Sequence, residues 1–344
     1  MVLVVISNDL LFCCFPRMRQ RVGVLGATGA VGQKFLRLLE VDDTFEISAL
    51  GASERSAGKK YKDIVQLHLA CDDFVVFTCK PEHFKGCTII FSALDADVAK
   101  DIEKDFCLAG FAVFSNARNW RMDPLVPLCV PFCNPDHLLL VKRQKKEWNT
   151  SGILVTNANC STTGLVIVLK ALIPFIEFDK LVIHTMQAVS GAGYPGLSVM
   201  DIHDNVIPYI SGEEVKIQTE TLKILGTMKG DKIVPQNWDI TAIANRVMVL
   251  EGHTINVLLE AKDDIQLGPI LQELRKLPFL RIMEESNRPQ PRLDRVHEMK
   301  VSVGRFQLKK PNLLSFCLVS HNTVLGAAGS SIWNAKTAID MDLI

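Results

Sequence analysis

Arg21-Val-Gly-Val-Leu25 runs without a break into Gly26-Ala-Thr-Gly29-Ala-Val-Gly32, and the reading of this stretch decides the fold. A short apolar run, Val22–Leu25, reads as a buried strand, and the amphipathic pattern Val31–Leu39 reads as the helix after it. A tight strand-to-helix turn needs dihedrals that a residue without a Cβ adopts freely. The same absence lets the backbone approach a pyrophosphate, whose charge is favoured at a helix N-terminus. The spacing is a variant of the dinucleotide-binding fingerprint. A glycine turn that only packs helix on sheet is the alternative, and the pattern that follows weighs against it.

Phe45–Leu50, Thr88–Phe91 and Phe111–Phe114 read as further strands, and Val98–Ala109 as a helix between the last two. Ile153–Thr156 is the strand that delivers the chain to Asn157-Ala-Asn-Cys160. Short apolar runs alternating with amphipathic ones predict βαβ units and a parallel sheet. At the end of the second strand an NAD site usually places an acidic residue for the ribose hydroxyls. This chain has Gly51-Ala-Ser53-Glu-Arg55-Ser56, then Lys59 and Lys60. Hydroxyls and a guanidinium suit a 2′-phosphate, so the expected cofactor is NADP; a solvated basic loop is the other reading.

Beyond Cys160 the pattern changes. Leu181–Val189, Thr254–Glu260, Val301–Gln307 and Leu313–Val319 read as long strands whose antiparallel pairing would give a mixed sheet. Leu325–Met341 reads as a helix, and Gly326, Ala327, Ala328 and Gly329 allow it to pack closely. The predicted fold class is α/β: an N-terminal Rossmann-type dinucleotide-binding domain with an α+β catalytic domain built on a mixed sheet. The first domain is expected over 18–158, completed by the C-terminal helix 323–344, and the second over 159–322. Residues 1–17 are an extension with no assigned role.

A chain of 344 residues suits two such domains. Lys plus Arg number 38, as do Asp plus Glu, so no overall field favours nucleic acid or an anionic membrane. Any bound anion must be held by local groups. The ten cysteines lie singly in apolar runs, as Cys87 and Cys317 do, and behave as small core hydrophobes. A reducing, cytoplasmic setting is expected. Val2–Phe15 is apolar but interrupted by Ser7, Asn8 and Asp9, too short and broken to span a bilayer. It lacks the preceding positive charge of a secretory signal; Arg17, Arg19 and Arg21 come after it. An inert extension, or a start at Met18, is expected there.

Cys160 lies between a strand and the apolar helix Gly164–Leu172. A thiol at a helix N-terminus has its thiolate stabilised by the macrodipole and free amides, and Ser161, Thr162 and Thr163 suit a helix start. A buried structural cysteine explains the residue almost as well. His253, in Leu250-Glu-Gly-His253-Thr, has the chemistry of a base and acid beside a cysteine; a lone turn histidine often does nothing. Arg246 suits a two-point grip on a carboxylate or plain solvation. Cys129, Cys133 and His137 lack a fourth partner for zinc, so no metal is expected.

Several motifs together make a resemblance specific. Asn157-Ala-Asn-Cys160-Ser-Thr-Thr-Gly164, Gln187-Ala-Val-Ser-Gly-Ala-Gly-Tyr-Pro195, Gly212-Glu213-Glu-Val-Lys216, Asn245-Arg246-Val, Gly252-His253-Thr and His321-Asn322-Thr-Val-Leu-Gly-Ala-Ala-Gly329 resemble the aspartate-semialdehyde dehydrogenases. The similarity is greatest to the fungal and archaeal branch and runs from about Arg21 to the C-terminus. It implies Cys160 as nucleophile, His253 as acid/base, Gln187 orienting a thioester and Asn159 beside the nucleophile. Arg246 and Glu213 match substrate positions; Lys216 and Arg121, in Ser115-Asn-Ala-Arg-Asn-Trp-Arg121, match phosphate positions. Gly26, Thr28, Gly29, Ala30, Val31, Gly32 and Ser92 match the pyrophosphate side, and Ser53, Arg55 and Ser56 the adenosine phosphate. Ser190, Gly191 and Asn322 match positions near the nicotinamide.

The implied reaction reduces aspartyl-4-phosphate with NADPH and releases inorganic phosphate, in the synthesis of lysine, threonine, methionine and isoleucine. A homodimer or homotetramer, paired through the second domain, is implied too. Three features depart from the family pattern. The 62–80 region is short and lacks a tryptophan, Met248 stands where proline is commoner, and 261–280 is abbreviated. N-acetyl-glutamyl-phosphate reductases share the thioester logic, but usually have Gly before the nucleophile and Tyr-Pro after it, unlike Asn159-Cys160-Ser161. The 53–56 loop disfavours the more remote, NAD-preferring glyceraldehyde-3-phosphate dehydrogenases. A non-catalytic nucleotide-binding protein is the alternative from another class.

Overall fold

A computed structural model describes residues 19–66, 68–296 and 298–344; the expected extension lies outside the described residues. Two seven-stranded sheets organise the chain. The first contains β1 (Gln20–Leu25), β2 (Phe45–Ala52), β3 (Val76–Thr78), β4 (Ile89–Ser92), β5 (Ala112–Ser115), β6 (Leu128–Cys129) and β7 (Ile153–Asn157). All its pairings are parallel, in the order β3-β2-β1-β4-β5-β7-β6.

These strands are apolar almost throughout because both faces are covered. Val22, Val24, Phe91, Phe114 and Val155 join one core with Phe35, Leu36 and Leu39 of α1 (Ala30–Glu40). Leu25, Ile90, Val113 and Leu154 join the opposite core with Phe106 and Cys107 of α2 (Ala96–Leu108). The helix α3 (Val141–Trp148) adds Val141 to the first of these cores. Strand order reverses between β1 and β4, so the crevice beyond their C-terminal ends is a topological switch point. The glycine turn lies there. Gly26 has φ +71°, and a Cβ on Gly32 would stand 2.1 Å from the Gly26 carbonyl oxygen. Close helix–strand packing and an open turn are therefore one feature, not rival explanations.

The second half adds α4 (Cys160–Leu172), β8 (Phe178–Ala188), α5 (Val199–Ile202), β9 (Val206–Ile207) and α6 (Glu213–Ile224). A hairpin of β10 (Thr227–Lys229) and β11 (Lys232–Val234) follows, then β12 (Asp239–Val247), β13 (His253–Ala261), α7 (Leu267–Leu274), β14 (Leu280–Met283) and α8 (Pro291–Asp294). The strands β15 (Val301–Lys310) and β16 (Leu313–Ser320) complete a mixed sheet ordered β14-β15-β16-β13-β8-β12-β9. One face packs Leu181, Ile183, Ile255, Leu259, Phe316 and Leu318 under the almost entirely buried α4. Its other face, with exposed Ile243, Asn256 and Glu260, is uncovered in the single chain. The abbreviated 261–280 region still folds as α7, whose Ile270 and Leu274 join this core.

Strand β12 had no sequence expectation. Its buried positions are Ile240, Ala242, Ala244 and Arg246, and small alanines with an inward arginine hide the period of two. The chain ends by crossing back. A π-helical turn (Val324–Ala328) leads into α9 (Gly329–Asp340), and Ala328, Ile332, Ala335 and Ala338 pack into the first domain's core with α1. Asn157 fastens this return by donating to Ala327 O (3.1 Å) and accepting from Asn334 Nδ2 (3.0 Å).

The described cysteines are all free thiols, and no described helix is long and apolar enough to cross a membrane. The His137 ring is engaged by Asn134 Nδ2 (2.9 Å) and Gly226 O (3.2 Å), and no metal-holding cluster occurs among the described residues. Because the Gly32 contact is backbone on backbone, Gly32→Ala is expected to cost about 1–3 kcal/mol and to weaken NADPH binding at least tenfold. Thermal unfolding and fluorescence titration check both; an unaltered variant would remove the steric argument.

Candidate active site

The site lies where β7 enters α4. Asn159 is the N-cap: its Oδ1 accepts from the Ser161 amide (3.0 Å) and the Ser161 hydroxyl. With this cap, α4 starts at Cys160 rather than at Gly164. Cys160 Sγ is 3.0 Å from His253 Nε2. His253 is the first residue of β13, not a loose turn residue, and it is fully buried. Its Nδ1 accepts the Ala188 backbone N–H at 3.0 Å. A backbone amide only donates, so the neutral ring carries its proton on Nε2, facing the sulfur. At rest the imidazole therefore offers the sulfur a proton rather than a lone pair.

Gly326 makes room for Cys160. A Cβ there would stand 2.8 Å from the Cys160 Cβ, so the π-helical turn lies directly against the cysteine. Gly191 does the same on another side, where a Cβ would meet Arg246 Nη1 at 2.8 Å and His253 Cε1 at 3.2 Å. Asn322 ties the surrounding loops together by accepting the Gly252 amide (2.9 Å) and donating to the Ser190 hydroxyl (2.8 Å).

A ring of charge surrounds the pair. Glu213 opens α6 and accepts from Asn159 Nδ2 (2.8 Å), Gln187 Nε2 (3.1 Å) and Lys216 Nζ (2.5 Å). Burial opposes its ionisation, but Lys216 and these donated hydrogen bonds hold its carboxyl below the ordinary value. Arg246 leaves β12 and donates from Nη1 to Ala188 O (2.8 Å). Arg121 donates to Glu220 Oε1 (2.9 Å) and Asn116 O (2.8 Å), while its Nε is buried with no protein partner.

Burial, with Glu213 adding to it, pushes the Cys160 thiol up to about 12; Arg246, Arg121 and Lys216 pull the other way. Burial and then Arg246 push the His253 imidazole down to about 3. The resting pair is a neutral thiol and a neutral imidazole. The thiolate stabilisation expected from the helix N-terminus is outweighed here by desolvation.

The structure thus gathers Cys160, His253, Gln187, Asn159, Glu213, Lys216, Arg246 and Arg121 into one cluster, with Ser190, Gly191 and Asn322 on its rim. The residues from Gly26 to Gly32, Thr28, Ala30 and Val31 among them, lie at the switch-point turn. Gly29 caps α1 without any side-chain hydrogen bond, leaving a helix N-terminus that fits a pyrophosphate. Ser53 and Arg55 are exposed and Ser56 half-buried in a turn after β2, closed by Ser56 N–H to Ser53 O (2.9 Å). Ser92 ends β4, but its hydroxyl donates inward to Glu103 Oε1 (2.7 Å). Sequence reasoning passed over three contributors: Gly326, Glu220 and the Ala188 backbone. The first two left only a glycine in a helical run and an acid in helix register with Glu213.

Two family models match the chain: the semialdehyde dehydrogenase NAD binding domain over residues 21–141 and the semialdehyde dehydrogenase dimerisation domain over 169–325. The aspartate-semialdehyde dehydrogenase of Trichophyton rubrum is 44% identical, covering 93% of this chain and 97% of that protein. That of Methanothermobacter thermautotrophicus is 41% identical, covering 92% and 97%. Among solved structures, aspartate semialdehyde dehydrogenase with NADP from Candida albicans has a TM-score of 0.88 and 42% identity, covering 94% of this chain and 100% of that one. The independent geometry of the Cys160 site and these full-length similarities agree: the chain belongs to the aspartate-semialdehyde dehydrogenase family.

Proposed function

We propose that this chain reduces L-aspartyl-4-phosphate to L-aspartate-4-semialdehyde, releasing inorganic phosphate, through a thioester on Cys160. The observation that carries this reading is the 3.0 Å approach of Cys160 to His253 inside a ring of Arg246, Arg121 and Lys216. A dianionic acyl phosphate with an α-carboxylate needs such a ring. Arg246 holds the carboxylate and so places the acyl carbon above Sγ. Arg121, through its unpartnered Nε–H, and Lys216 receive the phosphoryl group.

As Sγ bonds to the acyl carbon, the carbon–oxygen bond to phosphate breaks, and in the net balance the thiol proton departs with phosphate. His253 Nε2–H steadies negative charge on sulfur during this exchange. Gln187, held by Glu213, orients the thioester oxygen. Bound NADPH supplies the hydride that reduces the thioester. Collapse of the resulting hemithioacetal frees the aldehyde and returns sulfur to the thiol, with His253 as the acid/base group. Splitting one hard step in two is the advantage of the covalent route. NADP is accommodated by the Gly26–Gly32 turn and the Ser53-Arg55-Ser56 loop. Support for a homodimer or homotetramer comes from the uncovered face of the mixed sheet. The product suits the synthesis of lysine, threonine, methionine and isoleucine.

NADPH formation from aspartate semialdehyde should require phosphate in the wild type and fall at least about a thousandfold in Cys160→Ala. A folded, NADPH-binding wild type without turnover would remove the enzymatic reading. Alkylation of Cys160 by iodoacetamide reports the resting protonation state. A thiol held far above its ordinary value reacts about tenfold faster for each pH unit between 7 and 9. A rate already level from pH 6 to 8 would instead show a thiolate–imidazolium pair at rest.

A further inference from the structure

Glu220 stands on the same stripe of α6 as Glu213 and Lys216, seven residues after the former, and is almost fully buried. Both its oxygens are committed. Oε1 accepts from Arg121 Nη1 at 2.9 Å, and Oε2 accepts from the backbone N–H of Asn159 at 2.6 Å. One turn further on, Lys223 donates to the carbonyls of Arg121 (2.7 Å), Asp123 (2.8 Å) and Val126 (3.0 Å). The helix therefore grips both the Arg121 side chain and the backbone from which it springs.

A buried carboxylate persists only when paired and hydrogen-bonded, and such pairs contribute little net stability compared with apolar packing. What this one adds is a connection. One side of the Arg121 guanidinium is anchored by Glu220 and Asn116, and its Nε–H is left over. The other arm of the same carboxylate fixes the residue immediately before the nucleophile. Glu220 holds the guanidinium in place for an anion on its Nε side, and the charge of that anion acts in turn on the carboxylate that fixes Asn159. We infer that Glu220 is a positioning residue that couples phosphate at Arg121 to the placement of Cys160. The inference rests on the reading that Arg121 receives phosphate.

Glu220→Gln and Glu220→Ala separate the two arms. The glutamine keeps an acceptor for the Asn159 amide and removes the charge facing Arg121; the alanine removes both. In the phosphate-consuming direction, Glu220→Gln is expected to raise the phosphate KM about tenfold while lowering kcat less than about threefold. Glu220→Ala is expected to raise the phosphate KM similarly and to lower kcat at least a further tenfold. In the wild type, saturating phosphate should change the rate of Cys160 alkylation at least threefold, an effect lost in Glu220→Gln. An unchanged phosphate KM in a folded Glu220→Gln, or two variants with the same kcat, would overturn the coupling. So would a wild-type alkylation rate indifferent to phosphate, which decides the matter even if neither variant folds. A wild type with no phosphate-dependent turnover would instead sink the functional reading itself.

Discussion

The Asn159 side chain holds two jobs that nothing else in the site can do together. Its Oδ1 caps α4, and its Nδ2 donates to Glu213 at the start of α6. A cap of this kind stabilises a helix by roughly 1 kcal/mol, a modest figure for so much geometry. The cap defines where α4 begins, and therefore makes Cys160 the first residue of a buried helix. The bond to Glu213 sets that helix against α6, and through Gln187 and Lys216 it reaches β8 and the cationic ring. Each later feature of the site is measured from that junction.

Electrostatics then set the resting state of Cys160 and His253. Burial penalises any charge on Cys160 or His253, and Glu213 adds to the penalty on sulfur. Three cations favour the thiolate but do not outweigh burial. The Ala188 amide keeps the imidazole proton pointed at sulfur. A neutral thiol is also a poor target for chance oxidation, since the thiolate is the reactive form.

Much of this was legible in the sequence, but for differing reasons. The parallel sheet was readable because its strands are buried on both faces and so appear as plain apolar runs between amphipathic helices. The Gly26–Gly32 turn was readable because steric need restricts it to glycine. Cys160 and His253 were only candidates from their own surroundings: a cysteine in an apolar chain and a histidine near a turn have many uses. Motif resemblance singled them out, and the 3.0 Å contact gives a physical reason for the pairing. Glu220 stayed hidden because its partners, an arginine side chain and a backbone amide, come from distant segments. The Ala188 amide is invisible in principle, since every residue has one. Strand β12 was missed because Ala242 and Ala244 blur its alternation and Arg246 turns inward to donate to the Ala188 carbonyl.

The return of α9 to the first domain has a consequence for how the chain is made. Ala328, Ile332, Ala335 and Ala338 fill a core whose other walls were synthesised first, with β1, α1 and the strands beside them. Domains usually fold as units, but the core of this one lacks a wall until α9 is in place. The nucleotide-binding half therefore cannot be excised without α9 unless an apolar trough is left in its flank.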